Sequence, residues 1–378
     1  MKNKALHISH TDIRYDPRIL KEISSLSEIE FIEIFTIGIS NSNKYEKNKT
    51  NNITKFSIKL LSRKFRFPFK SILYTLNLFE FGLKIILIGI KIKPDVIHCH
   101  DTLALMPAVL LKSIVKSKLI YDAHELESQT NMQTFLLSKS TLLIEKMCWK
   151  YIDVFISVSD SIINWYIKKF GVKKKELILN TPITRNIISK KGKENDLRKI
   201  FKIKKDKIIF IYVGDFCEGR GINLTLDVFS NKEINSDVVF LGDGVLKNKI
   251  LSYSANYKNI HFHPLVPHHE VVNLIKSSDV GICFIENVSL SDYFCLPNKL
   301  FEYLFAGLNI LGSNIPEIAK FITTNKVGTV CDLNPNDFKN KIKYYEKNGA
   351  KKHNIDLNAF SWQSQSKKIK KLYKELLN

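Results

Sequence analysis

Short apolar runs alternate along this chain with longer stretches whose apolar positions recur every three or four residues. That alternation predicts the strands and crossover helices of a parallel α/β sheet. In the first half the runs fall at 5–10, 33–38, 95–100, 118–123 and 154–159. In the second half they fall at 207–214, 238–242, 260–263, 280–285 and 309–312. Helical periodicity occupies 103–115 and 139–151, and an amphipathic helix over 361–377 closes the chain with no strand after it.

The theme occurs twice, separated by a polar, Lys-rich stretch at 189–205 that is the best linker candidate. The expectation is an N-terminal domain over 1–185, a C-terminal domain over 200–360, and a final helix, 361–378, packing back on the first domain. One further segment, 71–91, is apolar, but Glu80 and Lys84 interrupt it. Its unbroken run falls short of the ~20 residues of a membrane span, which predicts a long buried or interfacial helix.

Composition supports two soluble domains. The chain has 378 residues, 44% of them hydrophobic, more than one ordinary core holds. Cys99, Cys148, Cys217, Cys283, Cys295 and Cys331 form no CxxC pair, so neither a zinc site nor a disulfide framework is expected. Together with a start that runs straight into an apolar strand, without a signal peptide, this predicts a cytoplasmic protein. The formal net charge is +21. It is spread evenly: residues 1–180 hold 28 basic and 17 acidic side chains, and residues 181–378 hold 30 and 20. Such a background names no partner, and no nucleic-acid recognition motif accompanies it.

In open parallel sheets ligands bind beyond the carboxyl ends of the strands, so the residues after each run carry the chemistry. Tyr212-Val213-Gly214 leads into Asp215 and then Gly219-Arg220-Gly221 at the start of a helix. Glycines admit close backbone approach, and a helix N-terminus with an arginine suits a diphosphate; an ordinary Gly-rich turn reads equally well. Gly242-Asp243-Gly244 follows the next strand as a tight turn. In Leu296-Pro297-Asn298-Lys299-Leu300-Phe301-Glu302, Pro297 suits the first helical turn, and Asn298, Lys299 and Glu302 can share one face. That face can offer an ammonium to phosphate and a carboxylate to ribose hydroxyls. Read alone, a surface Lys–Glu pair is the better reading.

In the first half, one strand ends in His98-Cys99-His100-Asp101 and another in His124-Glu125, while Asp12, Asp16 and Arg18 follow the first strand. His98 alternates inward as a core residue; the others are candidates to bind hydroxyls. A histidine that titrates near ~6.5 can donate or accept at little cost at neutral pH. The chain has no GxGxxG, no GxxxxGK[ST] and no Asp-x-Asp. These absences count against a standard NAD site, a P-loop and a metal-held diphosphate.

The ordered set resembles the family-4 retaining glycosyltransferases of the GT-B fold. It comprises Asp16-Pro17-Arg18-Ile19-Leu20-Lys21-Glu22, His98-Cys99-His100-Asp101, Tyr121-Asp122-Ala123-His124-Glu125, Tyr212-Val213-Gly214 with Gly219-Arg220-Gly221, Gly242-Asp243-Gly244, the run from Leu296 to Gly307, and Phe360-Ser361-Trp362. The resemblance covers nearly the whole chain and implies two Rossmann-like domains facing a cleft that closes by domain rotation.

It implies His124, Arg220 and Lys299 as catalytic residues. Donor contacts would come from Gly214, Gly219, Gly221, Gly242, Asp243, Pro297, Asn298, Leu300 and Glu302, and acceptor contacts from Asp16, Arg18, His100, Asp101 and Glu125. No metal or cofactor is implied, and the donor is a UDP- or GDP-sugar. Two positions depart from the family pattern. Asp215 stands where a second basic residue is common, and Phe294 where many members have a glutamate near the transferred sugar, with Glu286 a distant substitute.

The expected activity is sugar transfer with retention to a glycan or lipid-linked glycan, as in surface polysaccharide biosynthesis. Alternatives are a nucleotide-sugar epimerase and an inactive nucleotide-sugar-binding subunit. The segment 63–70 holds Arg63, Lys64, Arg66 and Lys70 with Phe65, Phe67 and Phe69 and no acid. A basic-aromatic segment can dock on the inner membrane face or be a solvated loop.

Overall fold

The computed structural model describes residues 2–65, 70–131, 133–183, 196–351 and 353–378. The chain divides into two compact units, one formed by Met1–Leu179 with Gln365–Asn378 and the other by Asn180–Ser364. Most of the linker candidate, 184–195, lies outside the described residues, as do 66–69 of the basic-aromatic segment.

Unit one holds an eight-stranded sheet. Its strands are β1 (Asn3–Ile8), β2 (Ile32–Ile39), β3 (Glu46–Thr50), β4 (Ile53–Ile58), β5 (Val96–His100), β6 (Lys118–Ala123), β7 (Val154–Ser157) and β8 (Lys174–Leu177), in the order β3-β4-β2-β1-β5-β6-β7-β8. The pairings are parallel except for the edge pair β3–β4. The helices are α1 (Pro17–Ser27), α2 (Lys70–Ile92), α3 (Leu105–Val115), α4 (Phe135–Trp149) and α5 (Asp160–Phe170). Asp16 caps α1 by accepting from the N–H groups of Arg18 and Ile19, with Pro17 inside the first turn.

Unit two holds a six-stranded parallel sheet: β9 (Ile209–Asp215), β10 (Asp237–Asp243), β11 (Ile260–His263), β12 (Val280–Cys283), β13 (Asn309–Ser313) and β14 (Gly328–Cys331), in the order β11-β10-β9-β12-β13-β14. A short turn, α6 (Leu197–Ile200), precedes it. Around the sheet lie α7 (Ile222–Phe229), α8 (Lys247–Asn256), α9 (His268–Ile275), α10 (Leu290–Tyr293), α11 (Asn298–Ala306), α12 (Pro316–Asn325) and α13 (Pro335–Asn348). The last helix, α14 (Trp362–Leu377), gives its residues from Gln365 onward to unit one.

Both units are therefore doubly wound α/β sheets, as the apolar pattern predicts. Four strands escape that pattern. β3 reads Glu-Lys-Asn-Lys-Thr and β8 Lys-Lys-Glu-Leu, edge strands whose charge blocks further pairing. β4 and β14 mix apolar with polar residues instead of running apolar. α4 begins four residues before the expected 139, capped by Thr134.

Strand order reverses between β1 and β5 in unit one and between β9 and β12 in unit two. These switch points open crevices at the strand carboxyl ends. In unit two β9 and β12 pair only through Phe210–Val280 and Ile211–Gly281, then part. The Tyr303 hydroxyl fills the gap, accepting from Val213 N–H at 2.9 Å and donating to the Ile282 carbonyl at 3.1 Å. Gly281 makes room for it, because a Cβ there would lie 2.3 Å from the Tyr303 ring.

Candidate functional site

Around the switch point of unit two, backbone conformation sets the floor of the site. Gly214 has φ +124°, and a Cβ on Gly242 would lie 1.9 Å from the Gly214 carbonyl oxygen. Neither position tolerates a side chain. Pro297 is the N-cap of α11 with extended backbone, not a residue of its first turn, so the helix starts at Asn298. Asn298 itself is exposed.

Lys299, one residue on, folds back over β9. Its Nζ lies 3.7 Å from the centroid of the Tyr212 ring and would be 3.7 Å from a Cβ on Gly214. That nitrogen is buried and has no hydrogen-bond partner. Burial lowers its pKa to about 8, with Cys283 and Glu302 opposing and Arg220 reinforcing the shift. An uncompensated buried ammonium is costly, and an anion beside it removes the cost.

The i,i+3 reading of Lys299 with Glu302 as a surface pair does not hold. Glu302 turns instead toward His268 of α9, 3.2 Å away, and is almost fully buried. Nothing in the sequence pointed to His268, because it lies 34 positions from Glu302 on a different helix. Leu300 requires correction as a donor contact. Its side chain is fully buried and its N–H is taken by the Pro297 carbonyl.

The phosphate-loop candidates lie at the same switch point. Arg220 Nη1 donates to Asp292 at 2.8 Å, so its charge is already paired. Burial opposes the Arg220 charge, but Asp292 outweighs it and raises the pKa. The Gly219 carbonyl accepts from Glu286 N–H, and Gly221 N–H donates to Glu286 Oε1 at 3.0 Å. Glu286, considered as a distant sugar contact, thus sits on the N-terminus of α7. Asp243 pairs with Lys247 at 2.8 Å and accepts from Gly244 N–H. Arg220 and Glu302 both act electrostatically on Lys299.

In unit one the acceptor candidates separate. Arg18 is buried, with Nη2 2.9 Å from Asp122 Oδ1 and Nε 3.3 Å from Glu22. It also donates to the Ile178 carbonyl. It is a structural ion pair and not a ligand for hydroxyls. Asp16 is spent on capping α1, and Asp12 pairs with Arg14 at 2.7 Å. His100 is fully buried, so it too is corrected: it acts on the site only through its neighbours. Asp101, with φ +63°, and the exposed Glu125 remain on the strand-carboxyl edge.

A hydrogen-bonded chain runs inward from His124. Its Nε2 lies 3.2 Å from His100 Nδ1, His100 Nε2 lies 3.0 Å from His7 Nδ1, and His7 Nε2 lies 3.2 Å from the Tyr373 hydroxyl, which is 2.9 Å from His98 Nδ1. A neutral imidazole donates through one nitrogen and accepts through the other, so one ordered set of tautomers satisfies every link. Burial keeps His7, His98 and His100 neutral by lowering their pKa values.

His124 is different. Burial opposes its charge, but Asp101 at 3.5 Å and Asp122 at 3.5 Å outweigh it and raise its pKa to about 9. The even balance of donor and acceptor expected at neutral pH gives way to a protonated ring. Glu22 is pushed up to about 8 by burial and by Asp122. His100 Nδ1, His124 Nε2 and Asp122 Oδ2 lie 3.2–3.7 Å apart, a spacing a divalent cation can bridge, although Arg18 already occupies Asp122.

Residues 193–362 match the family model described as glycosyl transferases group 1, and residues 41–180 match the model described as glycosyltransferase family 4. Among solved structures, the chain is similar to sucrose-phosphate synthase from Thermosynechococcus elongatus at 14% identity, with 100% of this chain and 99% of that chain covered and a TM-score of 0.78. It is similar to Anabaena Alr3699/HepE in complex with UDP at 11% identity, covering 99% and 100%, with a TM-score of 0.68. A third likeness is the lipopolysaccharide outer core galactosyltransferase WaaB in its apo form, at 13% identity, 98% and 99% coverage and a TM-score of 0.64. No curated protein matches the chain. At such identities the structural likenesses speak for the fold.

Proposed function

Because the chain belongs to the family-4 glycosyltransferases of the GT-B fold, we propose that it moves a sugar from a nucleoside diphosphate donor, held by unit two, to a glycan or lipid-linked glycan. The observation that carries this reading is the Lys299 ammonium, buried without a partner at the end of β9. A diphosphate would supply the charge that ammonium lacks, and in this reading Glu302, paired with His268, accepts from the ribose hydroxyls.

In the proposed reaction the acceptor hydroxyl attacks the anomeric carbon on the face that the nucleoside diphosphate leaves, so configuration is retained. The bond from anomeric carbon to phosphate oxygen breaks, and one to the acceptor oxygen forms. The acceptor proton passes to the departing diphosphate. Lys299 stabilises the negative charge that grows on the leaving oxygens, and Arg220 adds to it. Charge stabilisation of this kind is often the largest single contribution to rate. His124, protonated at neutral pH, serves as a cationic hydrogen-bond donor rather than a base. No metal is assigned a role. A cytoplasmic site and a part in surface polysaccharide synthesis complete the reading, in line with six free cysteines among the described residues.

The test is a calorimetric screen of UDP, GDP and their sugars, followed by transfer assays with anomeric configuration read by NMR. Binding of neither nucleotide sinks the proposal. A second reading, an inactive binding subunit, draws on the carboxylates of Glu286 and Asp292 already occupying the phosphate loop. Nucleotide-sugar binding without turnover on any acceptor would favour it.

A further inference from the structure

Tyr373 differs from the other members of the buried chain that starts at His124. It comes from α14, at the far end of the sequence, and is fully buried within unit one. Its hydroxyl stands between two imidazoles, 3.2 Å from His7 Nε2 and 2.9 Å from His98 Nδ1. Other contacts hold the same helix in place. Lys370 pairs with Glu28, Lys174 pairs with Glu375, and Lys368 Nζ donates to the Leu177 carbonyl at 3.0 Å. Docking the helix therefore does not require the hydroxyl.

A chain of neutral rings can run in either direction, and its ends decide which. Burial keeps His7, His98 and His100 neutral, so each carries a single ring N–H. At the inner end, His98 Nε2 lies 3.6 Å from Asp122 Oδ2 and 3.8 Å from Glu22 Oε2. Asp122 is charged, because Arg18 holds both its oxygens. A bare lone pair on Nε2 is repelled there, whereas an N–H is attracted.

The rest follows link by link. The His98 proton sits on Nε2, so His98 Nδ1 accepts from the Tyr373 hydroxyl. That hydroxyl has one proton and has given it to His98, so it accepts from His7 Nε2–H. His7 Nδ1 then accepts from His100 Nε2–H, and His100 Nδ1 accepts from His124 Nε2–H. His124 Nε2 also lies 3.5 Å from Asp122 Oδ2, so the path begins and ends beside one carboxylate.

We propose that Tyr373 is a positioning residue, whose hydroxyl carries the direction set at Asp122 through to His124. A hydroxyl suits this link because it accepts and donates at one atom, and so joins two rings without reversing the path. His124 Nε2 is thereby committed to His100. Its Nδ1, 3.5 Å from Asp101, remains as the ring N–H at the strand-carboxyl edge. That this N–H serves an acceptor sugar rests on the proposed function; the assignment of the tautomers does not.

Nitrogen-15 NMR of protein labelled in its histidine rings, at about pH 7, tests the proposal, because protonated and bare ring nitrogens resonate far apart. In wild type, His7, His98 and His100 are expected as Nε2–H tautomers, with His124 protonated on both nitrogens. In Tyr373→Phe, His7 and His100 lose the link that fixes them and show both tautomers. His98, still beside Asp122, keeps its proton on Nε2. Two results overturn the proposal: a wild-type His7, His98 or His100 with its proton on Nδ1, or a Tyr373→Phe spectrum in which His7 and His100 remain purely Nε2–H. Should the variant not fold, the wild-type spectrum decides alone. UDP binding to wild type, measured separately by calorimetry, bears on the proposed function, so either reading can fail without the other.

Discussion

The Lys299 ammonium stands 3.7 Å over the ring of Tyr212, held against an aromatic face and offered to no acceptor. A cation–π contact recovers only about 2 kcal/mol when desolvated, less than the charge loses on leaving water. Lys299→Ala is therefore expected to lower turnover by ~10²–10³-fold while the fold persists. Arg220→Ala is expected to fall within the same range. Wild-type kcat/KM in either purified variant would reject the leaving-group role.

The same residue sets a pH dependence. The folded pKa of Lys299 is about 8, below the 10.5 of a free lysine, so the ammonium is present below pH 8 and lost above it. Nucleotide affinity should be flat below pH 8 and weaken by up to about tenfold per unit above it. For the unliganded protein the sign is opposite: the unfolded chain binds more protons between 8 and 10.5, so this residue makes stability rise with pH there. Calorimetric titrations of UDP from pH 6 to about 9.5, with Lys299→Met as control, would show whether the bend belongs to Lys299.

His124 carries the reverse dependence. Its pKa is raised from 6.5 to about 9, so its stabilising contribution is complete below pH 6.5 and disappears as pH rises through 9. The stability difference between wild type and His124→Gln should shrink across that window, from a value on the order of 2–3 kcal/mol. Urea melts at pH 6 and about 9.5 give both ends. A pH-independent difference would mean that the ring is held by packing and not by Asp101 and Asp122.

Arg18 and Asp122 are buried opposite charges in bidentate contact. Removing one leaves the other unpaired, and Arg18→Met is expected to cost about 3–5 kcal/mol. Donor nucleotide binding, which the proposed function assigns to unit two, should survive in whatever protein remains folded. If Arg18→Met is as stable as wild type but loses acceptor affinity, Arg18 is a ligand after all.

Tyr303→Phe removes the hydroxyl that bridges β9 and β12, stranding Val213 N–H and the Ile282 carbonyl. About 1–3 kcal/mol of stability should go with it. Gly281→Ala should cost at least as much, since its methyl would lie 2.3 Å from that ring. Thermal melts of the two variants decide the point.

The alternation of apolar runs and helical periods determined two doubly wound units, because crossover helices and buried strands leave that mark wherever they occur. Motif order pointed to the strand ends at Gly214, Gly219 to Gly221 and the start of α11 as the candidate site, since strand-end glycines serve backbones that must come close. Edge strands β3 and β8 left no such mark, because solvent-facing charge hides their pairing. Tertiary structure alone decided which candidate polar residues are buried against partners and which stay exposed. Arg18 and His100 read as ligands from their positions after strands, yet both are buried and already partnered. Partners such as Asp292 for Arg220, His268 for Glu302 and Tyr373 for His98 lie 72, 34 and 275 positions away. Local pattern carries a residue's type and periodicity, whereas protonation and availability depend on charges that only folding brings within a few ångströms.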